Sequence, residues 1–198
     1  MASRSGAGTS ADAPSESVAS TLSAAAFVRV VCHADGDALA AAGLLARGLR
    51  SVDVPFQVRV ASLDAAAPAA DDGVFVAVGT EHPDADVTIR PTDGPASRRA
   101  YDVAVALGRD DGARDDVVAS DVTLALAGVV AAGAHPGSVA GPLVEAADGM
   151  GAIERRPGVA IPVDDVVDGL AHSTLLRAPF SGDADAVESA LASLADPA

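Results

Sequence analysis

Lysine and tryptophan are both missing from the 198 residues, and there is a single cysteine, Cys32. All 13 basic side chains are therefore arginines. One cysteine excludes an intramolecular disulfide and any zinc site built on paired thiolates. At the end of an apolar run it reads as a buried, inert thiol. Aromatic residues make up only 3% of a chain that is 49% apolar. The core must then be assembled from Ala, Val and Leu, with small side chains that let helices pack closely. No charged-then-apolar leader opens the chain, and no apolar run is long enough to cross a bilayer. The expectation is a cytoplasmic protein with no membrane partner. No stripe rich in arginine advertises nucleic acid either.

What is abundant is negative charge: the net value is −15, with an isoelectric point near 4.3 and Asp far outnumbering Glu. The carboxylates are spread along the whole chain. That distribution suits a solvated surface in very concentrated salt, where charges are screened within about 3 Å. An acidic face reserved for a basic partner would concentrate them instead. The length allows one well-buried domain.

Met1 to Ser17, rich in Ser, Ala and Gly and without apolar periodicity, reads as a disordered tail, and 18–198 as one domain. A short helix between Val18 and Ala26 leads into Phe27–Cys32, a β-branched run that reads as a strand buried on both faces. Further strands are predicted at Pro55–Ala61, Val74–Val78 and Asp86–Ile89. Helices are predicted at Ala38–Arg47, with Asp37 as its cap, and at Ala96–Leu107, ended by Gly108. Asp121–Ala132, apolar enough to be buried, Ser138–Ala147, Asp164–Leu170 and Asp183–Leu194 complete the helical set, with 153–162 extended. Val187, Leu191 and Leu194 share one face of the last helix. Strands alternating with helices imply an α/β fold with a doubly wound, mainly parallel sheet.

The most informative segment is Val30-Val31-Cys32-His33-Ala34-Asp35-Gly36-Asp37. An apolar strand ends in one imidazole and two carboxylates at alternate positions, and a small-residue helix follows at once. Two carboxylates and a neutral imidazole suit a divalent ion such as Mn²⁺, and strand ends that run into helix starts are where open α/β sheets bind ligands. Any one of these residues alone reads as a cap or an exposed strand end. The H-x-D-x-D spacing between strand and helix is more specific.

This segment resembles the first metal-binding motif of the DHH phosphoesterases, the family of RecJ-type single-strand exonucleases. The resemblance runs from Phe27 onward and is closest to the archaeal RecJ-like branch that includes the GINS-associated nuclease. The finer similarity lies in Ala96-Ser97 through Tyr101-Asp102-Val103-Ala104, in Leu124-Ala125-Leu126-Ala127-Gly128, and in Gly169-Leu170-Ala171-His172-Ser173-Thr174 followed by Pro179-Phe180-Ser181-Gly182-Asp183. It implies a single domain of the DHH type. In active members the first motif, an Asp ending the third strand, the DHH triplet and a further Asp after a helix hold paired Mn²⁺ ions, which would activate water and clamp both oxygens of the displacement.

This chain departs from that pattern at each later step. Val76-Ala77-Val78-Gly79 offers no third-strand Asp, Thr88 to Pro95 contains no triplet, and Val129-Val130-Ala131-Ala132-Gly133 has no acid. Residues up to 198 also contain no second, substrate-clamping domain with a Gly-rich, His-containing motif. His33, Asp35 and Asp37 therefore remain as a partial metal site, with no catalytic residue assigned.

The resemblance then implies a degenerate RecJ-like protein, an accessory or scaffold in DNA replication or repair that contacts GINS or replicative helicase components, needs no cofactor and is an inactive relative of the exonucleases. The competing reading is a divalent-metal phosphoesterase or exonuclease acting on single-stranded DNA or small nucleotides, with Mn²⁺ at the partial site. A third is a nucleotide-binding regulator that uses the strand-end crevice without hydrolysis. Glu81, His82, Asp84 and Asp86 follow the third strand and could reach the same sheet edge, although Thr80–Asp84 reads more simply as a polar turn. His135 and His172 read as lone surface histidines.

Overall fold

Short valine-rich runs pair as parallel strands where helices cover them; four runs pair so here, although one of them is exposed from Gln57 to Val60. The computed structural model describes residues 14–61, 73–90, 94–108, 115–154, 165–173 and 177–195. Strands β1 (Val28–His33), β2 (Phe56–Ala61), β3 (Val74–Val78) and β4 (Val87–Ile89) form one sheet in the order β2-β1-β3-β4. Every pairing is parallel, with Val30 opposite both Val58 and Val76, and Val76 opposite Val87.

From β1 the chain passes through α2 (Gly36–Ser51) to β2 on one side, then returns past β1 to β3 on the other. The connecting residues 62–72 lie outside the described set. The carboxyl ends of β1 and β3 thus flank the point where the winding reverses, the place at which an open α/β sheet leaves a crevice.

One buried cluster joins the sheet to its helices. Val28, Val30 and Cys32 of β1, Val76 and Val78 of β3, and Val87 and Ile89 of β4 share it with Leu44, Leu45 and Leu49 of α2. Val18 and Leu22 of α1 (Ser15–Ser23), Ala100 and Val103 of α3 (Ala96–Leu107), and Val122, Ala125 and Val129 of α4 (Asp115–Ala131) complete it. Strand β1 is not buried on both faces as its composition suggests: its alternate residues Arg29, Val31 and His33 are half-buried. Strand β3 is, from Phe75 to Val78.

Small residues set the helix spacing. A Cβ at Gly128 of α4 would lie 2.4 Å from the Ser97 Cβ of α3 and 2.9 Å from the Ala40 Cβ of α2, and one at Gly48 would lie 3.1 Å from the Ala104 Cα. The Ala- and Gly-rich composition is therefore what brings α2, α3 and α4 together.

Several boundaries differ from the sequence reading. Helix α1 begins at Ser15, inside the segment assigned to the tail, while residues 1–13 lie outside the described set. Helix α4 begins at Asp115 and leaves Val130 59% exposed, so it is not buried all round. The predicted Ser138–Ala147 helix is two, α5 (Pro136–Val139) and α6 (Gly141–Gly149). Pro142 lacks the N–H a continuous helix would need and its ring would clash with the preceding turn, so the helix restarts. Most of the predicted extended stretch 153–162 lies outside the described residues.

The chain divides into two compact units, 1–154 and 155–198. In the second, α7 (Val166–His172) and α8 (Ala184–Ala195) form a cluster of their own: Leu170, Ala171 and Val187 are buried, with Val167, Phe180 and Leu191 packed against them. Among the described residues, no helix is long and apolar enough to cross a membrane.

Candidate functional site at the end of the first strand

His33 is the last residue of β1, and Asp35 is the N-cap of α2, with extended dihedrals (φ −134°, ψ 165°). One carboxylate oxygen of Asp35, Oδ1, accepts from the Ala38 amide at 2.8 Å, as an N-cap should. The other, Oδ2, lies 2.6 Å from Nδ1 of His33. Burial alone would raise the Asp35 carboxyl, but the Ala38 amide and His33 outweigh it and hold the group below the ordinary carboxylate range. With side-chain exposures of 32% and 45%, the His33–Asp35 pair is well screened and adds little to stability.

Asp37 does something else. The sequence reading made it the cap of α2, but Asp35 holds that position and Asp37 stands in the first turn, only 6% exposed. Its Oδ2 accepts from the Ala96 amide at 2.7 Å and its Oδ1 from the Ser97 amide at 2.9 Å. It thus caps α3, 59 residues further along the chain. The reason is local to α3: its N-cap residue is Pro95, which supplies no side-chain acceptor, and first-turn amides left buried without partners are costly.

The neighbouring positions where the family resemblance expects further acids also come to this motif, without acids. Gly79, just past β3, has φ +72°, and a Cβ there would lie 2.7 Å from the Ala38 Cβ and 3.2 Å from the His33 Cβ. Ala131, at the end of α4, packs on Gly36 so closely that a Cβ on Gly36 would stand 2.7 Å from its own. In the segment where the triplet is expected, Thr88 and Ile89 belong to β4, Pro95 stands at the N-cap position of α3 without a capping side chain, and 91–93 lie outside the described residues.

The second acidic group does not join the first. Glu81 pairs with Arg90. The His82 ring meets Phe75 edge-on, with centroids 5.0 Å apart, and its Nδ1 accepts from the Asp84 amide at 3.2 Å. Asp86 exchanges two bonds with Phe75, its Oδ2 accepting at 2.8 Å and its amide donating at 2.9 Å. Phe75 stands opposite Arg29, near the amino end of the sheet, whereas His33 ends β1 at the carboxyl end. Asp86 is therefore at the wrong edge, just ahead of β4 and not in it as expected, and Thr80–Asp84 is the polar turn that the simpler reading anticipates. Exposed His172 sits 3.0 Å from Asp168 one turn earlier in α7, and His135 precedes α5.

Among the described residues, no group of three or more His, Cys, Asp and Glu side chains is arranged to hold a metal ion. With Asp37 turned to the buried Ala96 and Ser97 amides, and with Gly79 and Ala131 in place of acids, the described residues do not fit a two-metal centre. Sequence reasoning missed the Asp37–Ser97 link, although its signal was legible: Pro95 opens a helix that has no capping residue of its own.

No protein-family model matches the chain. It is similar to an uncharacterized protein, rrnAC1427, of Haloarcula marismortui, with 45% identity over 178 residues that cover 89% of this chain and 43% of that relative. The chain thus spans less than half the length of the relative it matches.

Proposed function

We propose that this chain is the α/β part of a degenerate RecJ-like DHH protein, which has kept the scaffold and lost the nuclease. On this reading it acts in the cytoplasm as an accessory or scaffold in DNA replication or repair, contacting GINS or replicative helicase components. One observation carries the loss of catalysis: Gly79 and Ala131 stand where the resemblance expects further acids, and both pack directly on the motif, while Asp37 faces the Ala96 and Ser97 amides. A single ion on His33 and Asp35 cannot clamp both the attacking and the leaving oxygen of a phosphodiester. The test is an exonuclease assay on single-stranded DNA in concentrated salt with Mn²⁺, beside a pull-down at multimolar salt scored for GINS and helicase subunits. Background turnover with capture of those subunits is the expected result.

One observation favours the competing enzymatic reading. His33 and Asp35 remain partly exposed at the strand end, with Asp35 held ionised. Turnover well above background that disappears in Asp35→Ala would establish a divalent-metal phosphoesterase and overturn the scaffold.

A further inference from the structure

We infer that the H-x-D-x-D segment has become a structural lock, in which helix amides and close-packed methyl groups occupy the place that the family resemblance assigns to metal. The inference rests on the proposed loss of metal chemistry and says what replaced it. Clustered carboxylates repel one another unless something positive stands among them. Here the buried Asp37 charge is met by two amides of the first turn of α3, the positive end of a helix of 12 residues. No cation is needed to balance it. Two further contacts close the same region. The last turn of α4 presses Ala131 onto Gly36, and the turn after β3 brings Gly79 against Ala38 and His33, each without room for one more methyl group. The segment consequently ties β1, β3, α2, α3 and α4 together at one point, and Asp37 is the positioning residue that sets where α3 begins.

The test uses the full chain in concentrated salt. Thermal unfolding of the parent, Asp37→Ala, Asp37→Asn and Asp35→Asn is followed in EDTA and again in excess Mn²⁺, with amide exchange read at Ala96 and Ser97. Asp37→Ala is expected to lower Tm by about 5–10 °C, equally in EDTA and Mn²⁺, and Asp35→Asn by less. Asp37→Asn, which keeps one acceptor oxygen, is expected to speed exchange at one or both amides. Parent Tm should not respond to Mn²⁺, because an ion that binds only the folded state would raise it. A Mn²⁺-dependent rise in the parent that is lost in Asp37→Asn would overturn the lock. So would unchanged exchange at both amides in Asp37→Asn, a measurement that remains available if Asp37→Ala does not fold. Nuclease turnover is read separately, so an active protein with an intact lock refutes the proposed function and an inactive one with Mn²⁺ on Asp37 refutes the lock.

Discussion

Replacing Gly79 by Asp puts back the third-strand carboxylate that the family resemblance expects, and the structure predicts that it costs stability and brings no activity. Two separate terms add. Gly79 has φ +72°, a left-handed conformation that costs an L-residue about 1–2 kcal/mol, nearer the lower figure for Asp. The new Cβ would also lie 2.7 Å from the Ala38 Cβ and 3.2 Å from the His33 Cβ. The Ala38 methyl is fixed to the first turn of α2 and cannot swing aside, so helix and strand must separate, which for overpacking costs about 1–3 kcal/mol. Together this is about 2–4 kcal/mol, and at about 2–4 °C per kcal/mol for a chain of this size the fall in Tm is about 5–15 °C. Gly133 supplies the control: its φ is +73°, and a Cβ there meets nothing within 4 Å. Gly133→Asp should lose only the backbone term, about 2–4 °C. Thermal unfolding by circular dichroism in concentrated salt measures both. Equal losses in the two variants would refute the claim that close packing excludes a side chain at Gly79. Exonuclease turnover appearing in Gly79→Asp with Mn²⁺ would show that one missing carboxylate was all that separated this site from catalysis.

Two further expectations follow from composition and packing. With a net charge of −15, the fold should need salt to screen self-repulsion; dilution should lower Tm, and an unchanged Tm between dilute buffer and molar salt would refute the salt-adapted reading of the acidity. Gly128→Ala should destabilise, because its methyl would lie 2.4 Å from the Ser97 Cβ, an overlap that outweighs the roughly 1 kcal/mol gain in helix propensity. Gly43→Ala meets only the mobile Cδ2 of Leu124, at 3.3 Å, so propensity should win and Tm should rise; the same sign for both variants would refute the packing argument.

The elements were legible where one principle acted alone. Ala96–Leu107 came out residue for residue, because Pro95 and Gly108 punctuate it and the apolar spacing is helical. Val74–Val78 was equally plain as a short apolar run behind a turn signal. The Ser138–Ala147 prediction failed because its apolar pattern crosses Pro142, and proline geometry overrides periodicity. Helix α4 is buried as expected along one face, at Val122, Ala125 and Val129, but composition measures how apolar a helix is and not how many neighbours surround it: Val130 beside Val129 is 59% exposed.

At the site, identity and spacing were visible while partnership was not. That His33 and Asp35 would meet follows from two-residue spacing at a strand end, and the structure places them 2.6 Å apart. Which aspartate caps α2 turned on a shift of two residues, beyond what spacing resolves. That Asp37 belongs to α3 depends on a contact spanning 59 residues, set by how closely α2 and α3 approach. That approach is in turn governed by residues with no chemistry of their own, Gly48 against Ala104 and Gly128 against Ser97. A carboxylate two positions into a helix reads as a ligand, a cap or a solvated charge until its neighbours are known. Once α3 presents two otherwise unpaired amides to it, the buried charge is stabilised where it stands without a cation. The motif could therefore keep its three residues while its chemistry changed, because the feature that reassigns Asp37 is a proline-headed helix nearly 60 residues downstream.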